Sequence, residues 1–305
     1  MKDEELITHP NLVIAGVNKA GTTSLFSYLS KHPEVSSSSI KETCYFLPIR
    51  YNEKLTPIED YYSLFKYEES RKIYMEATPG YFYGGIELIN KIDTTLPSTK
   101  IILILREPSS RLLSFYHFMK SMLLIDQNMT FMEYTRHCCS LNKDELKKRD
   151  NNPFFGVEGG YYNLYINDWI KVFGDRLKII FFEDMKTNPV DTLTNLSLWL
   201  GIESNYYVDF KFNVENRTSN HKNKYLHKLA INLNRRLEIF FRLYPNIKNK
   251  LRNIYTGFNS NEFASISFEE QKIARSFYVD SNKELKKILK TNNLTPVPSW
   301  IENSK

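Results

Sequence analysis

The sequence predicts a three-layer α/β fold in which helices cover both faces of a central parallel sheet. Four short apolar runs are of the kind found in fully buried strands, and they lie at 12–15, 73–75, 101–105 and 177–182. Helical patterns separate these runs, and strands that alternate with helices are typical of a parallel sheet. The alternation ends near residue 203. We therefore expect a mostly helical C-terminal third.

Helices are predicted at several places around these strands. Leu25, Phe26 and Leu29 recur at helical spacing soon after the first strand. Proline or glycine at a boundary marks three further helices, at 111–120, 161–173 and 190–200. The leucine spacing that begins at Leu226 predicts an amphipathic helix that Pro245 kinks or ends. The almost wholly polar stretch 140–153 is interpreted as an insertion or a mobile loop.

Length and charge limit the architecture and the ligand. The chain has 305 residues, 42% of them hydrophobic, so it can bury a sizeable core. We expect one domain over 1–305, with a core at about 11–228 and a helical extension at about 229–305. The formal net charge is +6, and residues 211–252 hold eleven basic residues against two acidic ones. A regional excess favours a bound anion over general contact with nucleic acid.

Cysteine usage and the N-terminus bear on the compartment. Three cysteines are too few for a disulfide framework or a zinc site, which favours a reducing environment. The first residues are acidic, with no apolar segment behind them, and no run of roughly 18 apolar residues occurs. We therefore expect a cytoplasmic protein without a transmembrane segment.

The loop after the first strand has the glycine spacing of a phosphate-binding P-loop. Gly16 and Gly21 bracket it, and backbone N–H groups at the start of the next helix suit an anion. Its lysine, Lys19, precedes the second glycine, and Thr22 takes the place where nucleotide triphosphatases carry lysine. The strand 101–105 ends in Arg106, where those enzymes need a carboxylate for Mg²⁺. The pattern indicates an anion site that uses cationic side chains and no metal.

Two motifs in the right order resemble those of a known family. GVNKAGTTSL (16–25), followed by HPEV (32–35), resembles the 5′-phosphosulfate loop of sulfotransferases that use 3′-phosphoadenosine 5′-phosphosulfate (PAPS), and it is closest to the carbohydrate branch that includes heparan sulfate sulfotransferases. REPSSRLLSFY (106–116) is similar to the family's 3′-phosphate motif. The resemblance spans about 11–228 and implies a P-loop-like fold with PAPS as co-substrate and 3′-phosphoadenosine 5′-phosphate (PAP) as product.

Further segments extend this resemblance to the acceptor side. KETCYF (41–46), called the Glu42 segment below, resembles the Lys-Glu-x-His-Phe-Phe segment that carries the family's catalytic carboxylate, and EATPGYF (76–82) resembles the one that follows it. The chain departs from the glycosaminoglycan enzymes at Cys44, where they carry histidine, and at Ala77, where they carry lysine. The basic-x-basic-x-Leu pattern at 222–226 resembles the C-terminal donor loop of bacterial sulfotransferases.

Residue roles follow from the chemistry and from the resemblance together. Lys19 is expected to stabilise charge on the leaving phosphate, and Glu42 is expected to act as the general base, with Glu76 in reserve. Donor-binding residues are predicted to be Lys19, Ala20, Gly21, Thr22, Thr23, Ser24, Arg106, Ser114, Arg217, Lys222 and Lys224. Acceptor-binding residues are predicted to be Lys41, Cys44, Tyr45, Glu76 and Tyr81.

The leading interpretation is a sulfotransferase whose acceptor hydroxyl belongs to a carbohydrate or a glycolipid. A small-molecule alcohol or phenol is the alternative acceptor. A P-loop nucleotide kinase is a second enzyme class, opposed by the displaced Lys19 and by Arg106. A non-enzymatic module that binds anions or nucleic acid through 211–252 is a third, opposed because tyrosines do not alternate with the cations there.

Overall fold

Five parallel strands form the centre of the protein. The computed structural model describes residues 9–212, 220, 221, 223–237, 251, 255, 259–261, 267–294 and 296–303. The strands are β1 Leu12–Gly16, β2 Val35–Ser37, β3 Ile73–Ala77, β4 Lys100–Leu105 and β5 Leu177–Phe181. They pair in the order β2-β3-β1-β4-β5, and every pair is parallel. All residues of β1 and β3 are buried, which means that both faces of the sheet are covered.

Helices cover the sheet and make up most of the described C-terminal part. They are α1 Thr22–Leu29, α2 Ile58–Tyr62, α3 Gly85–Thr95, α4 Pro108–Ser121, α5 Phe131–Ser140, α6 Lys143–Leu146, α7 Ile166–Phe173, α8 Phe182–Thr187, α9 Pro189–Leu200, α10 Lys224–Arg236, α11 Phe268–Ser276, α12 Val279–Thr291 and α13 Ser299–Glu302. Two short strands, β6 Asn220–His221 and β7 Ser260–Asn261, pair antiparallel. Within the described ranges, no helix is both long and apolar enough to cross a membrane.

The α/β class predicted from the sequence is confirmed, with differences at particular elements. All four predicted strands are present, but β2 was missed because it has three residues, two of them serine. The helix predicted at 161–173 begins at Ile166, since a 3₁₀ turn over Tyr162–Leu164 precedes it. Pro245 lies outside the described residues.

The polar stretch 140–153, interpreted as an insertion or a mobile loop, contains helical elements, which corrects the mobile-loop alternative. It contains α6 and a 3₁₀ helix at Arg149–Phe154. Asn142 caps α6, and the Glu145 carboxylate accepts the Asn142 N–H, so polar side chains here satisfy helix ends. Arg149 also forms an ion pair with Glu53, 2.5 Å apart. Polarity in this stretch therefore reflects capping and ion pairing.

The carboxyl ends of β1, β3 and β4 lie at the same edge of the sheet, and the loops that follow them are tied together there. The register between β1 and β4 shifts between Ile14 and Gly16. Just beyond the shift, the Val17 N–H donates to the Ile104 carbonyl oxygen over 3.0 Å. The Thr78 N–H, beyond the end of β3, donates to the Ile14 carbonyl oxygen over 3.1 Å. Open α/β sheets bind ligands at this edge.

Steric crowding explains both glycines of the first loop. A Cβ atom on Gly16 would lie 2.6 Å from the Cβ atom of Phe82. Gly21 has a φ of +90°, and a Cβ there would lie 2.8 Å from both Met185 Cε and a ring carbon of Phe182. The left-handed backbone and the close approach each exclude a larger residue at Gly21. The glycine spacing seen in the sequence is thus required by packing alone, whether or not an anion is bound.

We expect Gly21→Ala to destabilise the protein more than Gly201→Ala does. Gly201, which follows α9, also has a positive φ, of +79°, but nothing lies within 4 Å of the position of its missing Cβ. Both variants incur the left-handed backbone cost of about 1–2 kcal/mol, and only Gly21→Ala adds a steric cost of about 1–3 kcal/mol. Urea unfolding measures both free energies. Equal losses would show that Met185 and Phe182 move aside easily.

Candidate active site

The first loop presents backbone donors at the start of α1. Lys19 has a φ of +68°, Ala20 is fully buried, and Gly21 leads directly into the helix. Among the described residues, no side chain caps this helix end. The N–H groups of the first turn, at Thr22, Thr23 and Ser24, have no intrahelical acceptor, as in any α-helix. This arrangement suits an anion, because the helix dipole adds positive potential at the same end.

The Lys19 side chain packs against an aromatic ring of α4. Its ammonium group is 4.1 Å from the centroid of the Phe118 ring on α4. Burial and the neighbouring Arg106 guanidinium lower the pKa of Lys19 to about 8, although the Glu42 carboxylate opposes both. The surroundings therefore disfavour the charged form of Lys19, and a bound anion would remove this penalty.

Arg106 joins the end of β4 to the first loop. Its Nη1 atom donates to the Lys19 carbonyl oxygen over 3.0 Å, and its guanidinium group lies 4.6 Å from the centroid of the Phe182 ring. The Tyr162 hydroxyl donates to the Arg106 carbonyl oxygen over 2.8 Å. Burial lowers the pKa of Arg106, although nearby Glu183 opposes that shift. Two cations thus share one part of the site.

Ser114 lies on α4, and Glu107 fixes the start of that helix. The Glu107 carboxylate accepts hydrogen bonds from the backbone N–H groups of Ser109 and Ser110, as an N-cap residue does. Ser114 is half-buried and stands four residues before Phe118. Residues four apart share a helix face, so Ser114 lies on the side of α4 that meets Lys19. Lys19 therefore contacts both Arg106 and the face of α4 that carries Ser114.

An open cleft of about 170 Å³ lies beside this loop and contains both predicted catalytic residues. It is lined by Asn18, Lys19, Glu42, Cys44, Leu47, Arg50, Tyr51, Thr78, Gly80, Phe115, Phe118, Met119 and Asn152. The Glu42 side chain is 54% exposed and pairs with Lys41 at 2.7 Å, so its carboxylate stays in reach of the cleft. Lys19 and Glu42, a cation and a carboxylate, thus line one space.

The predicted acceptor residues divide into those at the cleft and those away from it. Cys44 lines the cleft, and burial together with the Glu42 charge raises its pKa to about 11, so it remains a thiol near neutral pH. Tyr45 instead stacks on Tyr61, with ring centroids 4.6 Å apart, and its hydroxyl donates to the Thr56 carbonyl oxygen over 3.1 Å. Tyr45 is not among the residues that line the cleft.

Glu76 and Tyr81 are not brought to the cleft, which corrects their expected contact with the acceptor. Both are fully buried. The Glu76 carboxylate accepts hydrogen bonds from the hydroxyls of Tyr61 at 2.7 Å, Thr43 at 2.5 Å and Thr78 at 2.9 Å. Burial raises the pKa of Glu76, and these hydrogen bonds oppose the rise. Glu76 therefore does not line the cleft, which argues against its expected role as the reserve base.

The residues predicted to bind the donor from the C-terminal part are only partly within the described chain. Arg217 and Lys222 lie outside the described residues, and Lys224 is the first residue of α10. On that helix, His227 Nε2 lies 2.6 Å from the carbonyl oxygen of Ser121, the last residue of α4. The beginning of α10 therefore packs against the end of α4.

Several cleft residues escaped the sequence-based prediction. Arg50 lies with its guanidinium carbon 4.3 Å from the centroid of the Phe155 ring, and Tyr51 follows it. Asn152 belongs to the polar stretch that was interpreted as an insertion. Phe115 belongs to the segment 106–116 that resembles the 3′-phosphate motif, Phe118 follows just beyond it, and both rings line the cleft. Their spacing of three residues on a predicted helix is the one signal that places them together.

Comparisons with known proteins identify the family of this chain. The family model described as "Sulfotransferase domain" matches residues 9–235. A Dictyostelium discoideum protein named membrane-associated sulfotransferase kil1 is 38% identical over 117 residues, 37% of this chain and 24% of that protein. The Drosophila melanogaster bifunctional heparan sulfate N-deacetylase/N-sulfotransferase is 22% identical over 313 residues, 96% of this chain and 27% of that protein. This chain spans about a quarter of the length of these two curated relatives.

A solved structure has the same fold. The crystal structure of a sulfotransferase from Alicyclobacillus acidocaldarius matches with a TM-score of 0.58 at 23% identity, over 69% of this chain and 87% of that chain. The family model itself covers more than half of the chain and includes both strand-end loops that build the site. The chain therefore belongs to the sulfotransferase domain family.

Proposed function

We propose that this protein transfers a sulfuryl group from PAPS to a hydroxyl of a carbohydrate acceptor. One observation carries the proposal: Lys19 and Glu42 line the same cleft, beside a helix N-terminus that suits a phosphate group. Family membership supports the reaction class, and the relatives named as heparan sulfate N-sulfotransferases support a sugar acceptor.

The donor is proposed to lie along the loop and the edge of the sheet. Its 5′-phosphosulfate would accept hydrogen bonds from N–H and hydroxyl groups of residues 21–24. Its 3′-phosphate would accept bidentate, charge-assisted hydrogen bonds from the Arg106 guanidinium group and one from the Ser114 hydroxyl. Arg217, Lys222 and Lys224 remain proposed further cations for the donor. Because β4 ends in Arg106 at the place of a metal-binding carboxylate, the proposed donor site uses side-chain cations.

The proposed transfer is in line, and its atoms balance within the two substrates. The acceptor oxygen forms a bond to sulfur while the bond from sulfur to the phosphate oxygen of the donor breaks. Glu42 takes the acceptor proton, and Lys19 stabilises the electron pair that remains on the leaving phosphate. Positioning and cationic stabilisation supply most of the catalysis in such a step.

The acceptor is proposed to enter the cleft between Glu42 and α4. Arg50, Tyr51 and Asn152 offer hydrogen-bond donors and acceptors, while Phe115 and Phe118 offer ring faces. A polar edge opposite an aromatic wall fits a sugar or the head of a glycolipid. A small-molecule alcohol or phenol is the competing acceptor and is separated from a sugar by the assay described below. A cytoplasmic location is part of this proposal and is checked by cell fractionation.

Arg106→Ala should weaken donor binding strongly. The variant removes a half-buried guanidinium group that would pair with phosphate, at a cost of about 2–4 kcal/mol in binding free energy. Calorimetry with PAP measures this directly, with EDTA present so that the wild type must bind without metal. Arg50→Ala, which removes an equal charge from the acceptor side of the cleft, is the matched control and should leave PAP affinity unchanged. No PAP binding by the wild type, or binding only with Mg²⁺, contradicts the proposed donor site.

Donor affinity should depend on pH through Lys19. The pKa of Lys19 lies at about 8 in the free protein, so its positive charge is present below that pH and lost above it. PAP affinity should therefore be full below about pH 8 and fall by up to about tenfold per pH unit above it. Lys19→Arg keeps the charge and should flatten this profile, whereas Lys19→Ala should also lower turnover by about 10²–10³. A wild-type profile that stays flat to about pH 10 would argue against contact between Lys19 and phosphate.

Glu42→Gln should separate catalysis from donor binding. The amide keeps the shape but cannot accept the proton, so turnover should fall by about 10²–10⁴ while PAP affinity stays near that of the wild type. Turnover is measured with labelled donor against sugars, a glycolipid, simple alcohols and phenols. Glu53→Gln is the control, since Glu53 is also an exposed, ion-paired carboxylate but does not line the cleft. Retained turnover in Glu42→Gln would assign the base to another group, and preference for a phenol would reject the sugar.

A further inference from the structure

Side chains, more than regular secondary structure, hold the Glu42 segment in place. The Cys44 N–H donates to the Thr78 hydroxyl over 3.2 Å, and the Phe46 N–H donates to the Tyr81 hydroxyl over 3.2 Å. Cys44 has a φ of +55°, so the chain turns sharply at this point. A bend of this kind persists only where surrounding contacts determine it. The groups that receive these N–H donors therefore set the direction of the segment.

Those contacts converge on one buried carboxylate, Glu76. It accepts three hydroxyl donors, from Tyr61, Thr43 and Thr78. A carboxylate accepts and does not donate, so each hydroxyl proton must point toward it. The Thr78 oxygen then turns a lone pair to the Cys44 N–H. Glu76 thus orients the Thr43 hydroxyl, which belongs to the segment, and the Thr78 hydroxyl, which accepts the Cys44 N–H.

We infer that Glu76 is a positioning residue that sets the geometry of Glu42 through the Thr43 hydroxyl. This inference rests on the proposed function, in which Glu42 is the base. Thr43 is adjacent to Glu42 in the chain and forms the shortest of the three hydrogen bonds to Glu76, at 2.5 Å. A buried carboxylate with three donors is a rigid anchor, since releasing any donor leaves a polar group unpaired in a dry environment. A small displacement of a catalytic group can cost about 10²-fold in rate.

Tyr61 provides a matched comparison for this role. Its hydroxyl donates to the other oxygen of Glu76, at 2.7 Å, from α2, which is outside the Glu42 segment. Thr43→Val and Tyr61→Phe therefore each remove one hydroxyl donor from the same carboxylate. They differ in whether the lost hydrogen bond reaches the Glu42 segment. Thr43→Ser keeps the hydroxyl and tests rescue.

The experiment measures kcat with labelled donor, PAP affinity and thermal stability for the three variants. Thr43→Val should lower kcat by about 10- to 100-fold with PAP affinity within about twofold of the wild type. Tyr61→Phe should keep kcat within about threefold, even where its thermal stability falls as much or more. Thr43→Ser should restore kcat. Equal losses of kcat in Thr43→Val and Tyr61→Phe, or no loss in Thr43→Val, would overturn the inference.

Amide hydrogen exchange of peptides that cover 41–46 separates this inference from the proposed function. Thr43→Val should speed exchange in these peptides, whereas Tyr61→Phe should leave it near the wild-type rate. If the wild type transfers no sulfuryl group to any acceptor, the proposed function fails. Exchange then still decides whether Glu76 orders the segment through Thr43, and equal exchange in the two variants overturns that role.

Discussion

The hydrogen bond from Arg106 to the Lys19 carbonyl oxygen is the contact on which the rest of the site depends. It ties the loop after β1 to the end of β4, although the two residues carry like charges and the Arg106 charge lowers the pKa of Lys19. The protein holds them together with neutral contacts: rings of Phe118 and Phe182 lie against the two cations. A site that concentrates positive charge in this way is stabilised by the anion that occupies it.

The opposite side of the cleft is organised by acidic residues with different tasks. Glu42 is exposed and paired with Lys41, so it can exchange protons with a ligand. Glu76 is fully buried and saturated with hydroxyl donors, so it can only hold its neighbours. Environment alone separates the two carboxylates, as it does in other enzymes with paired acids. Thr43 links the two carboxylates, because it follows Glu42 in the chain and its hydroxyl donates to Glu76.

The fold was predictable because its strands are buried on both faces and therefore appear as unbroken apolar runs. Among residues at the site, Lys19 and Arg106 could be placed from their positions in strand-end loops, and Glu42 from the resemblance of its segment to that of the family. Glu76 was misplaced because position at a strand end indicates the right edge of the sheet but not whether a side chain is covered by Tyr61 and Thr43. Arg50 and Asn152 come from segments without a periodic pattern, and only tertiary packing brings them to the cleft.

The C-terminal part is fastened to the same loops, through Glu183. Its carboxylate accepts the Glu107 N–H at the start of α4 over 3.0 Å and the Trp300 indole N–H, just within α13, over 3.2 Å. Through these two hydrogen bonds, Glu183 links Trp300 to Glu107, the residue that follows Arg106. Such a connection makes the last helix part of the cooperative folding unit of the sheet, so trimming the C-terminus back past Trp300 would loosen the start of α4 while leaving every residue of the cleft in the chain.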